Sequence, residues 1–277
     1  MEHLSNIVDS VLYDIELSRF SETGEEIEPN GVTGFRSGFP EIDKLTCGFQ
    51  RGEMIVISGL PYMGKSAFLL SMINHRQSKI IYFSTRLSSN QLTKMLICNY
   101  AEINLFELQN GSISKDLIER ISQNYKNKDI CFVDTPEMTC ELINQILEEN
   151  STESDYLILI DDLNFLEYHI HTLIEDKLIK LKGLARQYNL PIIGIYNCKL
   201  PENTTNIIES NGTFLDFNSS FVDLNCTIFR PEYFKITEDK HGNSLLGIAQ
   251  FIITKSSCKN GKVNLKYQPD FFRFTVK

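Results

Sequence analysis

Short apolar runs alternate with stretches of helical periodicity along most of the chain. The apolar runs, which predict buried strands, are Met54–Ser58, Ile80–Ser84, Asp129–Asp134, Tyr156–Ile160 and Pro191–Tyr196. The stretches with helical spacing are Phe39–Leu45, Ala67–Ile73, Ser89–Tyr100, Ser114–Tyr125, Cys140–Glu149 and Leu173–Tyr188. Strands that are apolar on both faces need helices on both faces, so the pattern predicts an α/β fold with a mostly parallel, doubly wound sheet.

The last part of the chain has the pattern of antiparallel strands. Three strand-like segments follow one another there, at Gly247–Thr254, Val263–Tyr267 and Phe271–Val276. A Lys-Asn-Gly turn separates the first two, and such a turn is typical of a hairpin. Before them, Pro201–Phe217 is polar and rich in turn residues, which predicts a mobile loop.

The beginning of the chain differs from the rest. Apolar residues recur at helical spacing from Leu4 to Ile15, which predicts a helix with one apolar stripe. A charged, turn-rich stretch follows it. We therefore divide the chain into a linker-type helix (1–21), a flexible linker (22–32) and one α/β domain (33–277). The stripe must pack either on this domain or on a neighbouring subunit, and the pattern alone does not choose between them.

The composition indicates a globular protein with reduced thiols. The chain has 277 residues, a formal charge of −9 and seven cysteines, which are scattered and never in C-x-x-C spacing. This cysteine usage predicts a cytoplasmic protein without disulfides or a zinc site, in which Cys131 is interpreted as a small core residue. The acidic total disfavours, but does not exclude, a basic channel for nucleic acid. No apolar run is long enough to span a membrane, and no secretory signal is recognisable.

One segment, Gly59–Ser66, fits the phosphate-binding pattern G-x-x-x-x-G-K-[ST] at every fixed position. A predicted strand precedes it and a predicted helix follows it, which is the context that this loop requires. Gly59 and Gly64 let backbone N–H groups turn towards an anion, and the start of the helix adds its positive end. Lys65 is expected to reach the phosphates and the Ser66 hydroxyl to bind Mg²⁺.

A second chemical element is the strand that ends in Asp161 and Asp162. Downstream of an intact phosphate loop, Asp161 is expected to hold Mg²⁺ through water, opposite Ser66. Asp162 has two interpretations: a solvated loop residue, or an acid that positions the attacking water. A small-molecule kinase is a weaker possibility, because its lid should be rich in arginine and the 201–217 loop contains none.

Several segments together resemble the C-terminal motor domain of DnaB-type replicative helicases. They are Thr33–Gly52, Pro61–Ser66, Phe83-Ser84, Asp161, Phe229–Tyr233 and Gly247–Lys255. The resemblance covers residues 33–277, and the helix of residues 1–21 is similar to the linker helix that docks on the adjacent subunit in that family.

The resemblance implies a RecA-like P-loop fold and a ring, hexameric or built with paralogous subunits, that encloses single-stranded DNA and unwinds DNA in replication. It also implies ATP and Mg²⁺ as cofactors. The catalytic residues would be Lys65, Asp161 and Lys255, with Lys255 acting on the nucleotide of a neighbour. The nucleotide contacts would come from Gly59, Pro61, Met63, Gly64, Lys65, Ser66 and Arg230, and the metal contacts from Ser66 and Asp161.

The sequence departs from the family pattern at the residues for hydrolysis and DNA contact. The family's Phe-Ser-x-Glu, which carries a catalytic glutamate, ends here in Arg86, and such a loss typically costs about 10²–10⁴-fold in rate. The Lys-x-Arg motif reads Lys255-Ser256-Ser257, so the arginine is absent. Asn197 replaces a glutamine, and Asp216 stands where the DNA-contacting loop begins with arginine.

These departures leave two functions open. The first is a helicase-family protein that binds ATP and has impaired hydrolysis, with Asp162 as a partial substitute for the glutamate. The second is a non-catalytic nucleotide-binding protein that regulates or accompanies a helicase ring.

Overall fold

The computed structural model describes residues 4–17, 31–75, 79–150, 156–167, 171–199, 219–239 and 241–277. The predicted linker, the predicted loop at 201–217 and Asp216 lie almost entirely outside these residues. None of the helices that the structure describes is long and apolar enough to cross a membrane.

Helices and strands alternate through the first two thirds of the chain. The helices are α1 (Leu4–Leu17), α2 (Pro40–Thr46), α3 (Lys65–Asn74), α4 (Ser89–Ala101), α5 (Leu105–Gln109), α6 (Lys115–Lys126), α7 (Cys140–Glu149) and α8 (Ile174–Tyr188). The strands are β1 (Met54–Gly59), β2 (Lys79–Ser84), β3 (Ile130–Asp134), β4 (Tyr156–Asp161), β5 (Ile192–Asn197), β6 (Leu224–Phe229), β7 (Ile248–Lys255), β8 (Gly261–Gln268) and β9 (Arg273–Val276).

All nine strands form one sheet in the order β3-β2-β4-β5-β1-β6-β7-β8-β9. The six strands from β3 to β6 are parallel, and β7, β8 and β9 extend the sheet in antiparallel pairs. The α/β class, the mostly parallel sheet and the antiparallel C-terminal strands predicted from the sequence are therefore confirmed. The carboxyl ends of β1, β2, β4 and β5 share one edge, where ligands bind in sheets of this kind.

The sheet has an apolar core on each face, because successive side chains of a strand point to opposite faces. In β1, Ile55 and Ile57 belong to the core beneath α2, α3 and α4, whereas Met54 and Val56 belong to the core beneath α7 and α8. All four side chains are fully buried. The continuous apolar runs of the sequence thus correspond to strands that are covered on both sides.

Three features differ from the sequence prediction: two elements that it missed and one residue whose exposure it did not expect. The strand β6 and the five-residue helix α5 have no counterpart in it. Cys131, interpreted as a core residue, is exposed, because β3 is the edge strand of the sheet and its outer face is only partly covered. On α1, the apolar side chains of Leu4, Val8 and Leu12 are 45–71% exposed.

Candidate nucleotide-binding site

The phosphate-loop segment connects the end of β1 to the start of α3, as its pattern predicts. Gly59 has φ +154°, and a Cβ there would lie 2.8 Å from the carbonyl oxygen of Ile228. Gly64 has φ +92°, and a Cβ there would lie 3.0 Å from the Phe274 ring. The first position has no room for a side chain, and the second combines a left-handed backbone with tight packing.

Lys65 is the first residue of α3 and lies almost entirely inside the loop. Its Nζ donates hydrogen bonds to the carbonyl oxygens of Gly59 at 3.1 Å and Leu60 at 2.6 Å. Burial lowers the pKa of the Lys65 ammonium from 10.5 to about 8, although Cys198, Asp162 and Asp161 act in the opposite direction. The ammonium is therefore held at the loop by carbonyl oxygens, and an anion would increase its preference for the charged form.

A cavity of about 710 Å³ lies between this loop and the carboxyl ends of the neighbouring strands. That volume is within the range of small-molecule sites, roughly 300–1,000 Å³. Four cationic side chains line it, and among the described lining residues none is Asp or Glu. The four cations are Lys65, Arg86, Lys199 and Arg230. Such a cavity favours an anionic ligand.

Asp161 ends β4 beneath this cavity rather than on its wall. Its side chain is 3% exposed, and Oδ2 accepts a hydrogen bond from the Tyr82 hydroxyl at 2.9 Å. Burial raises the pKa of Tyr82, and the Asp161 charge raises it further, so the hydroxyl stays protonated and continues to donate. Among the described residues, no group donates to Asp161 Oδ1, which leaves one carboxylate oxygen for water or a metal ion.

Asp162 is fully buried, so its interpretation as a solvated loop residue is wrong. Its Oδ1 accepts from the backbone N–H groups of Asn164 and Phe165 at 3.0 and 3.3 Å. Its Oδ2 accepts from the Asn197 side chain at 2.6 Å and lies 3.4 Å from Nε of Arg86. Burial raises the pKa of Asp162, and the charge of Arg86 opposes that rise. Both oxygens are engaged, which leaves little capacity to orient an attacking water.

Arg86 follows β2 and reaches the cavity from the side opposite the phosphate loop. Its guanidinium carbon lies 5.3 Å from the centre of the Phe165 ring, and its side chain is 49% exposed. Because the resemblance implies a glutamate here, this wall carries a cation where a carboxylate is expected. The sequence indicated the substitution but not the ion pair with Asp162.

Arg230 lines the cavity near its C-terminal strands. Its Nη1 donates to the carbonyl oxygen of Tyr62 at 3.1 Å, Nη2 pairs with Glu232, and Cζ lies 4.5 Å from the centre of the Tyr267 ring. The buried Nε has no hydrogen-bond partner among the described residues. Tyr267, Pro269 and Phe272 give this end of the cavity an apolar surface suited to a planar base.

The structure brings together some of the predicted site residues. Those that line the cavity are Pro61, Gly64, Lys65, Ser66 and Arg230. Gly59, Met63 and Asp161 do not line it, and the Met63 side chain is fully buried, which leaves only backbone atoms for a ligand.

Lys255 lies at the other end of the sheet, paired with Asn225 at the start of β6, and donates to the carbonyl oxygens of Ser219 and Val222. It therefore does not belong to the cavity of its own chain.

The residues present fit a nucleoside triphosphate with Mg²⁺. A hydroxyl, from Ser66, and a carboxylate, from Asp161, are oxygen ligands of the type that Mg²⁺ prefers, usually together with waters and phosphate oxygens. The loop and the N-terminal end of α3 suit the phosphates. The unpartnered Nε of Arg230 and the apolar surface beside it suit the sugar and base of a nucleotide.

A family model described as the DnaB-like helicase C terminal domain matches residues 34–276. The chain belongs to the DnaB-like helicase family. The DnaB-like chain is 28% identical over 264 residues to the probable replicative DNA helicase of Trieres chinensis, with 88% of this chain covered. It is 25% identical to the replicative DNA helicase DnaB of Haemophilus influenzae, with 99% covered. It spans 57% and 60% of the lengths of these two relatives.

Two solved structures share the fold over the whole DnaB-like chain. The ATPase domain of G40P matches with a TM-score of 0.79 at 19% identity, and 99% of that domain is covered. A DnaB-like replicative helicase, whose structure was described with its interactions with primase, matches with a TM-score of 0.75 at 20% identity, with 67% covered. The RecA-like fold expected from the sequence is thereby confirmed.

Proposed function

We propose that this DnaB-like protein binds ATP with Mg²⁺ in the cavity between the phosphate loop and the strands β2, β4 and β5. The observation that carries the proposal is the arrangement of Lys65 and Ser66 at the start of α3, inside a cavity lined by four cations. Lys65 would neutralise the phosphates, Ser66 and Asp161 would hold the metal, and Arg230 would contact the nucleotide. Bound Mg²⁺ would supply charge neutralisation at the terminal phosphates.

Hydrolysis at this site should be slow. A general base must accept or orient a proton of water, and such a group contributes about 10²–10⁴-fold. Asp162, the nearest carboxylate to Arg86, is buried and already accepts three hydrogen bonds as well as the ion pair. It therefore does not replace a glutamate at position 86. The proposal is a helicase-family protein that holds ATP for long periods and turns it over weakly.

Assembly into a ring, hexameric or with paralogous subunits, would use α1. The exposed apolar side chains of Leu4, Val8 and Leu12 recur every four residues and favour burial against a neighbouring domain. Lys255, which points away from the cavity of its own chain, would act on the nucleotide of that neighbour. A ring of this kind would act in the cytoplasm on single-stranded DNA during replication, as an unwinding enzyme of reduced activity.

A second candidate is a non-catalytic partner or regulator of a helicase ring. The ion pair between Arg86 and Asp162 favours this second candidate. Arg86 stands where the family has its catalytic glutamate, and the pair engages Asp162, the carboxylate closest to that position. In this case nucleotide would stabilise the assembly rather than drive movement along DNA. The two candidates share nucleotide binding and differ in turnover.

Nucleotide binding is tested with the variant Lys65→Ala, measured by calorimetry with ATP and Mg²⁺. A charge-assisted hydrogen bond is worth about 1.5–3 kcal/mol, so we expect the affinity to fall at least about 10-fold. Lys126→Ala, at the exposed end of α6, is the matched control and should bind as the wild type does. Equal affinities for wild type and Lys65→Ala would refute the proposed site.

Assembly is tested by removing residues 1–20 and comparing the mass of the particles by light scattering. We expect the full chain with ATP to form rings and the shortened chain to remain monomeric. Leu12→Glu is a milder variant that should weaken assembly without shortening the chain. Identical masses for all three proteins would show that α1 takes no part in assembly.

A further inference from the structure

We propose that Arg86 binds the terminal phosphate of a nucleotide in the same chain and makes the site selective for nucleoside triphosphate over diphosphate. This inference deepens the proposed function and rests on it. It concerns one residue for which neither the family match nor the cavity alone gives a role.

The position of Arg86 in the sheet determines which phosphate it could reach. It follows β2, whereas the phosphate loop follows β1, and the order β2-β4-β5-β1 places three strand spacings between them. At ~4.8 Å for each spacing, the two backbones are about 14 Å apart. Arg86 and Lys65 nevertheless line the same cavity. A phosphate held by the loop lies close to Lys65. Only the terminal phosphate of a nucleoside triphosphate therefore extends towards Arg86.

The contacts of Arg86 hold it without occupying its terminal nitrogens. Nε faces Oδ2 of Asp162 at 3.4 Å, and the guanidinium carbon lies 5.3 Å from the centre of the Phe165 ring. Among the described residues, none accepts a hydrogen bond from Nη1 or Nη2. The two terminal NH₂ groups are therefore available to the cavity, and a planar guanidinium suits phosphate oxygens in this geometry.

The surroundings of Asp162 argue against a purely structural role for Arg86. Asp162 already accepts hydrogen bonds from two backbone N–H groups and from Asn197. A contact through Nε alone, from a side chain that is half exposed, adds little to the stability of such a carboxylate. Asp162 is better understood as a positioning residue that fixes the direction of the Arg86 side chain.

The charges of the cavity support the same conclusion. Among the described residues, Arg86 is the cation whose charge lowers the pKa of Lys65, so the two positive charges repel each other across the cavity. An anion between them relieves this repulsion. A triphosphate brings one more charged group than a diphosphate, and the additional group is the one in reach of Arg86.

The test is equilibrium binding of ATPγS and ADP, each with Mg²⁺, to the wild type, Arg86→Gln and Arg86→Lys. We expect Arg86→Gln to weaken ATPγS binding about 10- to 100-fold, the value of a charge-assisted contact, and to leave ADP binding within about 3-fold. Arg86→Lys should recover part of the ATPγS affinity, because it keeps the charge but loses the planar fork. Arg120→Gln, an exposed arginine on α6, is the matched control and should change neither affinity.

Two outcomes would overturn the inference alone. Unchanged ATPγS affinity in Arg86→Gln would show that Arg86 contacts no phosphate, and equal losses for ATPγS and ADP would show that it acts on a shared phosphate or on the fold. A wild-type protein that binds neither nucleotide would refute the proposed function, and the inference with it. Circular dichroism of each variant separates loss of binding from loss of folding.

Discussion

The two walls of the cavity are built in different ways. The loop wall comes from residues of one continuous segment, Gly59–Ser66, between one strand and one helix. The opposite wall comes from Arg86 and Asn197, and the buried Asp162 lies behind them. These three residues follow or end three different strands and meet only because the sheet aligns them. The loop wall keeps every group needed to bind phosphate. The opposite wall carries the cation of Arg86, and the carboxylate behind it is already engaged, whereas hydrolysis would need a free carboxylate there.

This difference separates binding from turnover. Binding of phosphates depends on backbone N–H groups, a lysine and a helix end, all of which are local to the loop. Hydrolysis depends also on a group that orients water, and that group must come from the other wall. A family member can therefore keep the first function while a single residue after β2 weakens the second.

The substitution with the largest effect on stability should be Phe274→Ala, which tests the packing that supports the loop wall. Phe274 is fully buried, touches the Gly64 position and lies 5.7 Å from the Phe68 ring of α3. Phe274→Ala should lower the free energy of unfolding by about 3–5 kcal/mol and weaken ATP binding, because the loop loses its support. Urea denaturation measures the first effect. Phe106→Ala, at a ring that is 74% exposed, should change stability by less than about 0.5 kcal/mol.

The charge of Lys65 in the loop wall should make stability and ATP affinity depend on pH. The pKa of Lys65 falls from 10.5 when unfolded to about 8 when folded, so the unfolded chain binds more protons between these values. The contribution of Lys65 to stability should therefore rise with pH from about 8 to 10.5, by about 3 kcal/mol in total. ATP affinity should fall over the same range, because binding requires the charged ammonium. Lys65→Met should abolish the first trend, and its persistence in that variant would assign it to other groups.

A smaller effect is expected for the hydrogen bond that holds Asp161 beneath the cavity. Tyr82→Phe removes the hydroxyl that donates to Asp161 at 2.9 Å inside the core. A hydrogen bond to a charged group contributes about 1.5–3 kcal/mol, so the free energy of unfolding should fall by a similar amount. Thermal denaturation measures this loss. Tyr13→Phe, at a ring that is 61% exposed, serves as the control and should leave the melting temperature unchanged.

The sequence predicted those parts of the molecule that depend on local pattern. The strand Met54–Ser58 and the phosphate loop can be recognised in one continuous segment, and the structure confirms the α/β sheet built from such runs. The strand β6 was missed because Asn225 and Thr227 interrupt its apolar pattern. The Thr227 hydroxyl is paired by a contact that the sequence does not show, with Ser58 Oγ of β1 at 2.8 Å.

The contacts of the opposite wall could not be predicted from the sequence. Arg86 and Asp162 meet because Ser84 of β2 pairs with Asp161 of β4, and this register depends on the whole sheet. The burial of Asp162 follows from the same alignment and from the Asn197 side chain at the end of β5. Similarly, Cys131 belongs to an apolar run, and only the strand order places it at an exposed edge.

Steady-state ATP hydrolysis shows whether Arg86 makes a protein that binds ATP turn it over weakly. The wild type, Arg86→Glu and Arg86→Gln would be compared with and without single-stranded DNA, at ATP concentrations that saturate binding. We expect turnover near background in the wild type and in Arg86→Gln, and a rate at least about 10-fold higher in Arg86→Glu. Wild-type turnover near about 10 s⁻¹, the median kcat of enzymes, that is stimulated by DNA and lowered by Arg86→Glu would show that Arg86 does not limit hydrolysis.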